Sequence, residues 1–287
     1  MKKISEIDIF DRPPKPFRLE DYGGLQKDEY VMNDVIMCQK CDTPRMFVHG
    51  NFKVRCLCQC QAAAQKQAEA EEKERERQRE IEKYQRTSLI GARYKNASFD
   101  TTETGHNATF DAAFTRCKRY CEVANKVLED GLGIYLYGDK GTGKTHLTAC
   151  MANALIRQRK QVLFTNFAEI SKLLRSTFGN KGESEAMYID RLATIDFLFI
   201  DDLGTERVQT KDGDLWLQEK IFDVLNKRYN NRKPTIFTSN HSIPELISER
   251  GIMAKTVDRI AEMSSAIIKV EGESYRLKAR TAAKLPF

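Results

Sequence analysis

Residues 138–145, Gly-Asp-Lys-Gly-Thr-Gly-Lys-Thr, are the first in the chain whose types and spacing suit a definite chemistry. Gly138, Gly141 and Gly143 let the backbone curl so that several N–H groups converge on one point, where an anion is the natural guest. Lys144 then brings an ammonium within reach of the β- and γ-phosphates of a nucleotide, and the Thr145 hydroxyl suits a Mg²⁺ ion. Asp139, Lys140 and Thr142 complete the loop. The chemistry expected is binding of ATP with Mg²⁺ and transfer of its terminal phosphoryl group to water.

Two further clusters fit that chemistry. The run 196–200, apolar after Asp196, closes on Asp201-Asp202. Asp201 is expected to hold Mg²⁺ directly or through water, and Asp202 to orient or activate the attacking water. An apolar run ending in two aspartates is unspecific by itself and acquires meaning from the upstream glycine loop. The run 233–240, Lys-Pro-Thr-Ile-Phe-Thr-Ser-Asn, ends in a polar triplet. Its Asn240 has two readings of equal weight: a contact to the γ-phosphate or lytic water, or a turn-capping side chain.

A different chemistry sits upstream. Five of the chain's eight cysteines lie between Cys38 and Cys60. Cys38-Gln-Lys-Cys41 is a knuckle, and Cys56-Leu-Cys58-Gln-Cys60 supplies a second group. In a reducing cytosol such a cluster points to metal rather than disulfides. Thiolates from two short turns make a closed tetrahedral Zn²⁺ site, with Cys38, Cys41, Cys56 and Cys58 as the chosen ligands. Cys60 is an alternative to Cys56 or Cys58, and His49 a further substitute. A closed site is structural: it holds a segment too short to build its own core.

These groups need a scaffold. The glycine loop follows the buried-strand run 133–137 and precedes a good helix, the order that a phosphate-binding loop requires. From about residue 95, strand-like runs at 133–137, 161–165, 196–200, 235–238 and 266–270 alternate with helical pattern. That alternation predicts an α/β fold: a parallel five-stranded sheet flanked by helices. Residues 61–86 are nearly all strong helix formers with opposite charges three and four apart and no heptad stripe, which predicts a solvated helical connector. Residues 1–37 hold Pro13, Pro14, Pro16 and Gly23-Gly24 and read as an irregular arm. The expected organisation is an N-terminal arm with a small zinc-binding domain over 1–60, a charged helical linker over 61–94, and a nucleotide-binding domain over 95–287.

The ordered set 138–145 with His146-Leu147, the run 197–204 ending Asp-Asp-Leu-Gly, and 234–240 resembles the AAA+ ATPases that load replicative helicases, of the DnaC and DnaI types. Val257-Asp-Arg-Ile260 and Ser274-Tyr-Arg276 fit the same family, and the IstB-type transposition ATPases are close relatives. The resemblance spans roughly 95–280 and implies further roles. Asn240 matches the sensor-1 position. Arg259 matches the arginine finger that acts on ATP held by a neighbouring subunit, which implies self-association through the ATPase domain. Arg276 matches the sensor-2 arginine on the subunit's own nucleotide. Phe178 sits where the family places an aromatic on single-stranded DNA, with Arg175 nearby as a phosphate partner, though a core aromatic is an even alternative. The zinc segment is similar to the domain with which DnaI-type loaders dock on the helicase. Its Lys40, Arg45, Lys53 and Arg55 would suit nucleic acid instead. The loop 207–215 matches no family pattern.

The function expected is therefore an ATP-dependent loader that binds a replicative hexameric helicase and single-stranded DNA. A transposition ATPase on duplex DNA is the second reading, and a zinc-dependent DNA-binding protein with a vestigial ATPase the third. The zinc segment and charged helix favour the first, while bulk composition sets only broad bounds. Of 287 residues, 41% are hydrophobic and 31% charged, a soluble balance, and the net charge of +6 permits nucleic acid without demanding it. No apolar run approaches bilayer length, and the N-terminus has no secretory pattern, so a cytoplasmic protein without a membrane partner is expected.

Overall fold

The computed structural model describes residues 17–49, 52–176, 185–205 and 212–275. The chain divides into two compact units, 1–78 and 79–287.

In the first unit, β1 (Glu29–Met32) and β2 (Val35–Cys38) form one hairpin, and β3 (Met46–His49) and β4 (Phe52–Arg55) form another. The first hairpin replaces part of the irregular arm expected over 1–37. Its two-residue turn is Asn33-Asp34, both with positive φ of 48° and 59°. That geometry matches the right-handed twist of the flanking strands, and Asn and Asp tolerate it. Helix α1 (Gln59–Thr87) carries the charged run. Its 61–78 portion presents no buried residue, so side-chain charge pairs and propensity sustain it.

The second unit holds α2 (Ala108–Glu122), α3 (Ala124–Asp130), β5 (Gly133–Tyr137), α4 (Lys144–Arg157), β6 (Val162–Asn166), α5 (Phe167–Ser176), α6 (Glu185–Thr194), β7 (Phe197–Leu203), α7 (Asp212–Asn230), β8 (Thr235–Ser239), α8 (Ile243–Ser248), α9 (Ala254–Met263) and β9 (Ser264–Lys269). The five strands β5–β9 make one parallel sheet in the order β6-β7-β8-β5-β9. This is the P-loop AAA+ α/β fold. The four strands other than the edge strand β9 are almost continuously buried, as parallel strands covered on both faces must be. Alternation sorts them between two cores: Ile134, Leu136 and Phe199 pack on one face, and Tyr135, Leu198 and Phe237 on the other.

The order of the sheet brings the site together. Strand β8 lies between β5 and β7, so the C-terminal ends of the three strands line up. Those ends carry the glycine loop, Asp201-Asp202 and Asn240. A crevice outside the carboxyl ends of parallel strands is where such folds bind ligands. Arg228, fully buried, ties the end of α7 to the sheet by donating to the carbonyls of Leu192, Ile195 and Pro234 and to Thr235 Oγ1. Among the described residues, no helix is long and apolar enough to cross a membrane.

Candidate nucleotide site and cysteine cluster

The glycine loop joins β5 to α4. Gly138 has φ +134°, and a Cβ there would collide with the Val270 carbonyl. Gly143, with φ +98°, is the residue before the first turn of α4, and a Cβ would lie 2.7 Å from the Phe110 ring. Only glycine allows both the curl and the close approach. The helix N-terminus therefore points its free N–H groups into the loop, a ready site for phosphate.

Around the loop the side chains form one connected chain of hydrogen bonds. Lys144, 7% exposed, donates from Nζ to the carbonyls of Gly138 (2.8 Å) and Asp139 (2.7 Å) and to Asn240 Oδ1 (3.1 Å). Asn240 Nδ2 donates to Asp202 Oδ1 at 3.0 Å. Thr145 Oγ1 donates to the Asp201 carboxylate at 3.0 Å, and Thr238 Oγ1 reaches the same carboxylate at 2.5 Å. Burial pushes the Asp201 carboxyl above its usual range, while the hydroxyls of Thr238 and Thr145 oppose that rise. Thr145 hydroxyl and Asp201 carboxylate are hard oxygen donors side by side, the set that Mg²⁺ prefers. Through its bonds to Lys144 and Asp202, Asn240 faces the loop. The cap of α8 is made by Ser242 with Glu245 instead.

A cleft of about 840 Å³ runs along this chain. Its walls include Lys140, Gly141, Gly143, Lys144, Thr145, Asp201, Asp202 and Asn240 from the expected set. They also include Arg93, Tyr94 and Phe110, which lie in no sequence motif, and His146, Thr238 and Tyr275, which lie in motifs but to which the sequence assigns no role. Arg93 and Tyr94 had been placed in the linker. They are held at the cleft because Asn153 of α4 donates to the carbonyls of Tyr94 and Ala97, both at 2.9 Å. Phe110 and Tyr275 approach with ring centroids 5.7 Å apart, and Tyr275 N–H donates to Gly141 O at 3.0 Å. Aromatic walls beside a phosphate loop suit a nucleoside. The signal for them was slight: single aromatics in polar surroundings, far apart in sequence.

Other expected residues stand elsewhere. Arg259 is not among the residues lining the cleft. It pairs with Glu262 on its own helix, and its guanidinium lies 4.1 Å from the Tyr229 ring centroid. Arg175 is exposed near the end of α5. Phe178, Arg276 and the 207–211 part of the unmatched loop lie outside the described residues.

In the first unit the sulfurs of Cys38, Cys41, Cys58 and Cys60 all lie within 4.8 Å of one another. Cys60 thus takes the place expected for Cys56. The reason is local. Cys56 N–H donates to Arg45 O at 2.9 Å, which extends the β3–β4 ladder and leaves the Cys56 side chain exposed. Helix α1 begins at Gln59, and its first turn brings Cys60 Sγ to 3.3 Å from Cys58 Sγ and 3.6 Å from Cys38 Sγ. His49 is exposed and outside the cluster. The hydroxyl of Thr43 draws the Cys41 thiol down to about 6, while Cys58 and then Cys38 push Cys60 up to about 12. Four sulfurs this close together are a donor set of the kind that a structural zinc site uses. Of the four basic residues suited to nucleic acid, Arg45 and Arg55 are used internally. Arg45, 6% exposed, pairs with Glu29 at 3.1 Å and reaches Cys38 Sγ at 3.4 Å. Arg55 binds Glu29 and the carbonyls of Tyr22 and Gly24.

A family model described as IstB-like ATP binding protein matches residues 65–283. The replicative helicase loader DnaC of Escherichia coli K12 is 28% identical over 200 residues, covering 68% of this chain and 76% of that protein. The replicative helicase loader DnaI of Bacillus subtilis 168 is 28% identical over 204 residues, covering 67% of this chain and 61% of that protein. A crystal structure of the DnaC helicase loader superposes with a TM-score of 0.51 at 28% identity, over 62% of this chain and all of the other.

Proposed function

The chain is an ATPase of the IstB-like ATP binding protein family, and from that premise we propose that it loads a replicative hexameric helicase onto single-stranded DNA. What supports helicase loading over other ATP-driven work is the 28% identity shared with named helicase loaders over about two thirds of the chain.

In this reading the loop 138–145 wraps the phosphates of ATP. Lys144 exchanges its carbonyl and Asn240 partners for the β- and γ-phosphates. Thr145 and Asp201 hold Mg²⁺, which supplies charge neutralisation at the phosphates. Asp202 and Asn240 flank the place of the attacking water, with Asp202 as the proton acceptor. Arg259 is offered to a neighbouring subunit, so hydrolysis is completed only on self-association, and Arg276 serves the subunit's own nucleotide. Arg175 and Phe178 contact single-stranded DNA. Cys38, Cys41, Cys58 and Cys60 hold a structural Zn²⁺, and the unit built on it docks on the helicase. Its β3–β4 hairpin exposes Phe47, Phe52 and Val54 on one face, an apolar surface suited to a protein partner.

The test uses the purified full chain and the replicative helicase of the same organism. Size-exclusion chromatography with ATP should give a stable complex, and helicase assembly on closed single-stranded circles should require the chain. No complex, together with preferential ATP-dependent binding of duplex DNA, would return the protein to the transposition reading that its family name suggests.

A further inference from the structure

We propose that Thr238 is a positioning residue that makes Asp201 and Asp202 face the same cleft. In a regular strand, consecutive side chains point to opposite faces of the sheet. Here both aspartates line one cleft. The reason lies in the pairing of β7 with β8. Ile200 is opposite Phe237 and Leu203 is opposite Ser239, with the register shifting between them. Asp201 and Asp202 together therefore face the single residue Thr238, which is a β-bulge. Bulges re-aim side chains beside active sites, and they leave a ladder position unpaired.

Thr238 takes over that position with its side chain. Its Oγ1 accepts the Asp202 N–H at 2.9 Å and donates to Asp201 Oδ1 at 2.5 Å. Thr238 is 2% exposed, so water does not replace either bond easily. Asp202 has φ +57°, a left-handed conformation that a non-glycine residue keeps only when its surroundings hold it there. The task needs one group that donates and accepts at once. A hydroxyl does both, whereas valine, of the same shape, does neither. Thr238 thus fixes the carboxylate that would hold Mg²⁺ and the backbone that aims the second carboxylate at Asn240.

This inference rests on the proposed roles of Asp201 and Asp202, so Asp201→Asn is measured alongside. The variants are Thr238→Val and Thr238→Ser, with Thr238→Ala where valine perturbs the sheet and circular dichroism to confirm folding. Binding of a fluorescent ADP analogue is titrated with and without Mg²⁺, and ATP hydrolysis is measured across Mg²⁺ concentrations. With EDTA, Thr238→Val should bind the analogue as the unmodified protein does. The Mg²⁺ needed for half-maximal tightening should rise and kcat should fall, each by roughly ten- to a hundredfold for lost bonds to a charged group, with KM for ATP little changed. Thr238→Ser should restore both.

Thr238→Val behaving as the unmodified protein, while Asp201→Asn loses its Mg²⁺ response, would overturn the role of Thr238 alone. An Asp201→Asn variant with an intact Mg²⁺ response would overturn the underlying reading of Asp201. A folded Thr238→Ser as impaired as Thr238→Val would assign the effect to the methyl group. Unfolding of both valine and alanine variants would make Thr238 a support of the sheet, which also overturns the proposal.

Discussion

Lys144, at the start of α4, and Asn240, just past the end of β8, are joined directly: the lysine Nζ donates to the asparagine Oδ1 at 3.1 Å. The same carboxamide donates from its other end to Asp202 at 3.0 Å. Asn240 therefore links the loop cation to the second acidic residue across 96 and 38 positions of sequence.

That link separates binding from turnover. Lys144→Ala should abolish ATP hydrolysis and weaken nucleotide binding while the fold stays intact. Asn240→Ala removes no partner of the glycine loop other than Lys144, so KM for ATP should change little. Its kcat should fall by roughly ten- to a thousandfold, the range for losing a positioned polar group in the transition state. Steady-state kinetics on both folded variants would check this. An Asn240→Ala enzyme with raised KM and unchanged kcat would make Asn240 a binding residue only.

The cysteine geometry gives a second prediction. The purified protein should carry about one Zn²⁺ per chain, as a closed four-thiolate site does. Substituting Cys38 and Cys41 together should remove it. Cys60→Ser should lower metal content, whereas Cys56→Ser should leave it unchanged, because Cys56 is exposed and outside the cluster. Elemental analysis of protein prepared without chelator decides the matter. Metal lost from Cys56→Ser and kept by Cys60→Ser would reverse the ligand choice.

The phosphate chemistry was legible in the sequence because it is local. The strand before Gly138, the glycine loop and the helix after it are contiguous, and so are the apolar run and Asp201-Asp202. The alternation of strand and helix pattern was enough for a parallel sheet. Less legible was whatever depends on three-dimensional convergence. Arg93, Tyr94, Phe110 and Tyr275 come from distant segments; the first three lie in no motif, and Ser274-Tyr-Arg276 points to Arg276 alone. The choice between Cys56 and Cys60 depended on where β4 ends and α1 begins, a boundary that composition blurs. The hairpin at 29–38 is masked in the sequence because Pro13, Pro14, Pro16 and Gly23-Gly24 upstream outweigh the β-forming residues that flank Asn33-Asp34.

Glu29 supplies a pH prediction for the first unit. Burial alone would raise its carboxyl, but hydrogen bonds from Arg55, the Gln26 N–H and Arg45 outweigh that and bring it from the ordinary 4.5 to about 2. A carboxyl with a depressed folded value stabilises the fold at pH above 4.5 and loses that contribution as pH falls from 4.5 toward 2. The contribution at neutral pH is on the order of 3 kcal/mol as an upper bound. Glu29→Gln should therefore lower the thermal midpoint of the first unit at pH 7, and its deficit should narrow below pH 4.5. Calorimetry on both proteins, with metal content followed in parallel, provides the check. A deficit constant over that window would mean that Glu29 acts through packing alone.

The last prediction concerns Arg259. Within its own chain this arginine pairs with Glu262 and lies over Tyr229, and it does not line the cleft. An arginine that served only this ion pair would matter to stability and not to turnover. An arginine offered to a neighbour would leave Glu262 for the γ-phosphate of that neighbour's ATP, where it stabilises charge developing in the transition state. Arg259→Ala should then bind ATP about normally and hydrolyse it poorly, by on the order of a hundredfold or more. A Lys144→Ala subunit still offers its own Arg259, and an Arg259→Ala subunit still offers an intact glycine loop. Mixing the two inactive proteins should restore part of the activity at composite sites. The intrachain ion pair predicts no rescue at any ratio. Co-assembly is verified first by light scattering, with DNA or helicase present where either is needed. Mixed assemblies that form and stay inactive would show that Arg259 does not act between subunits.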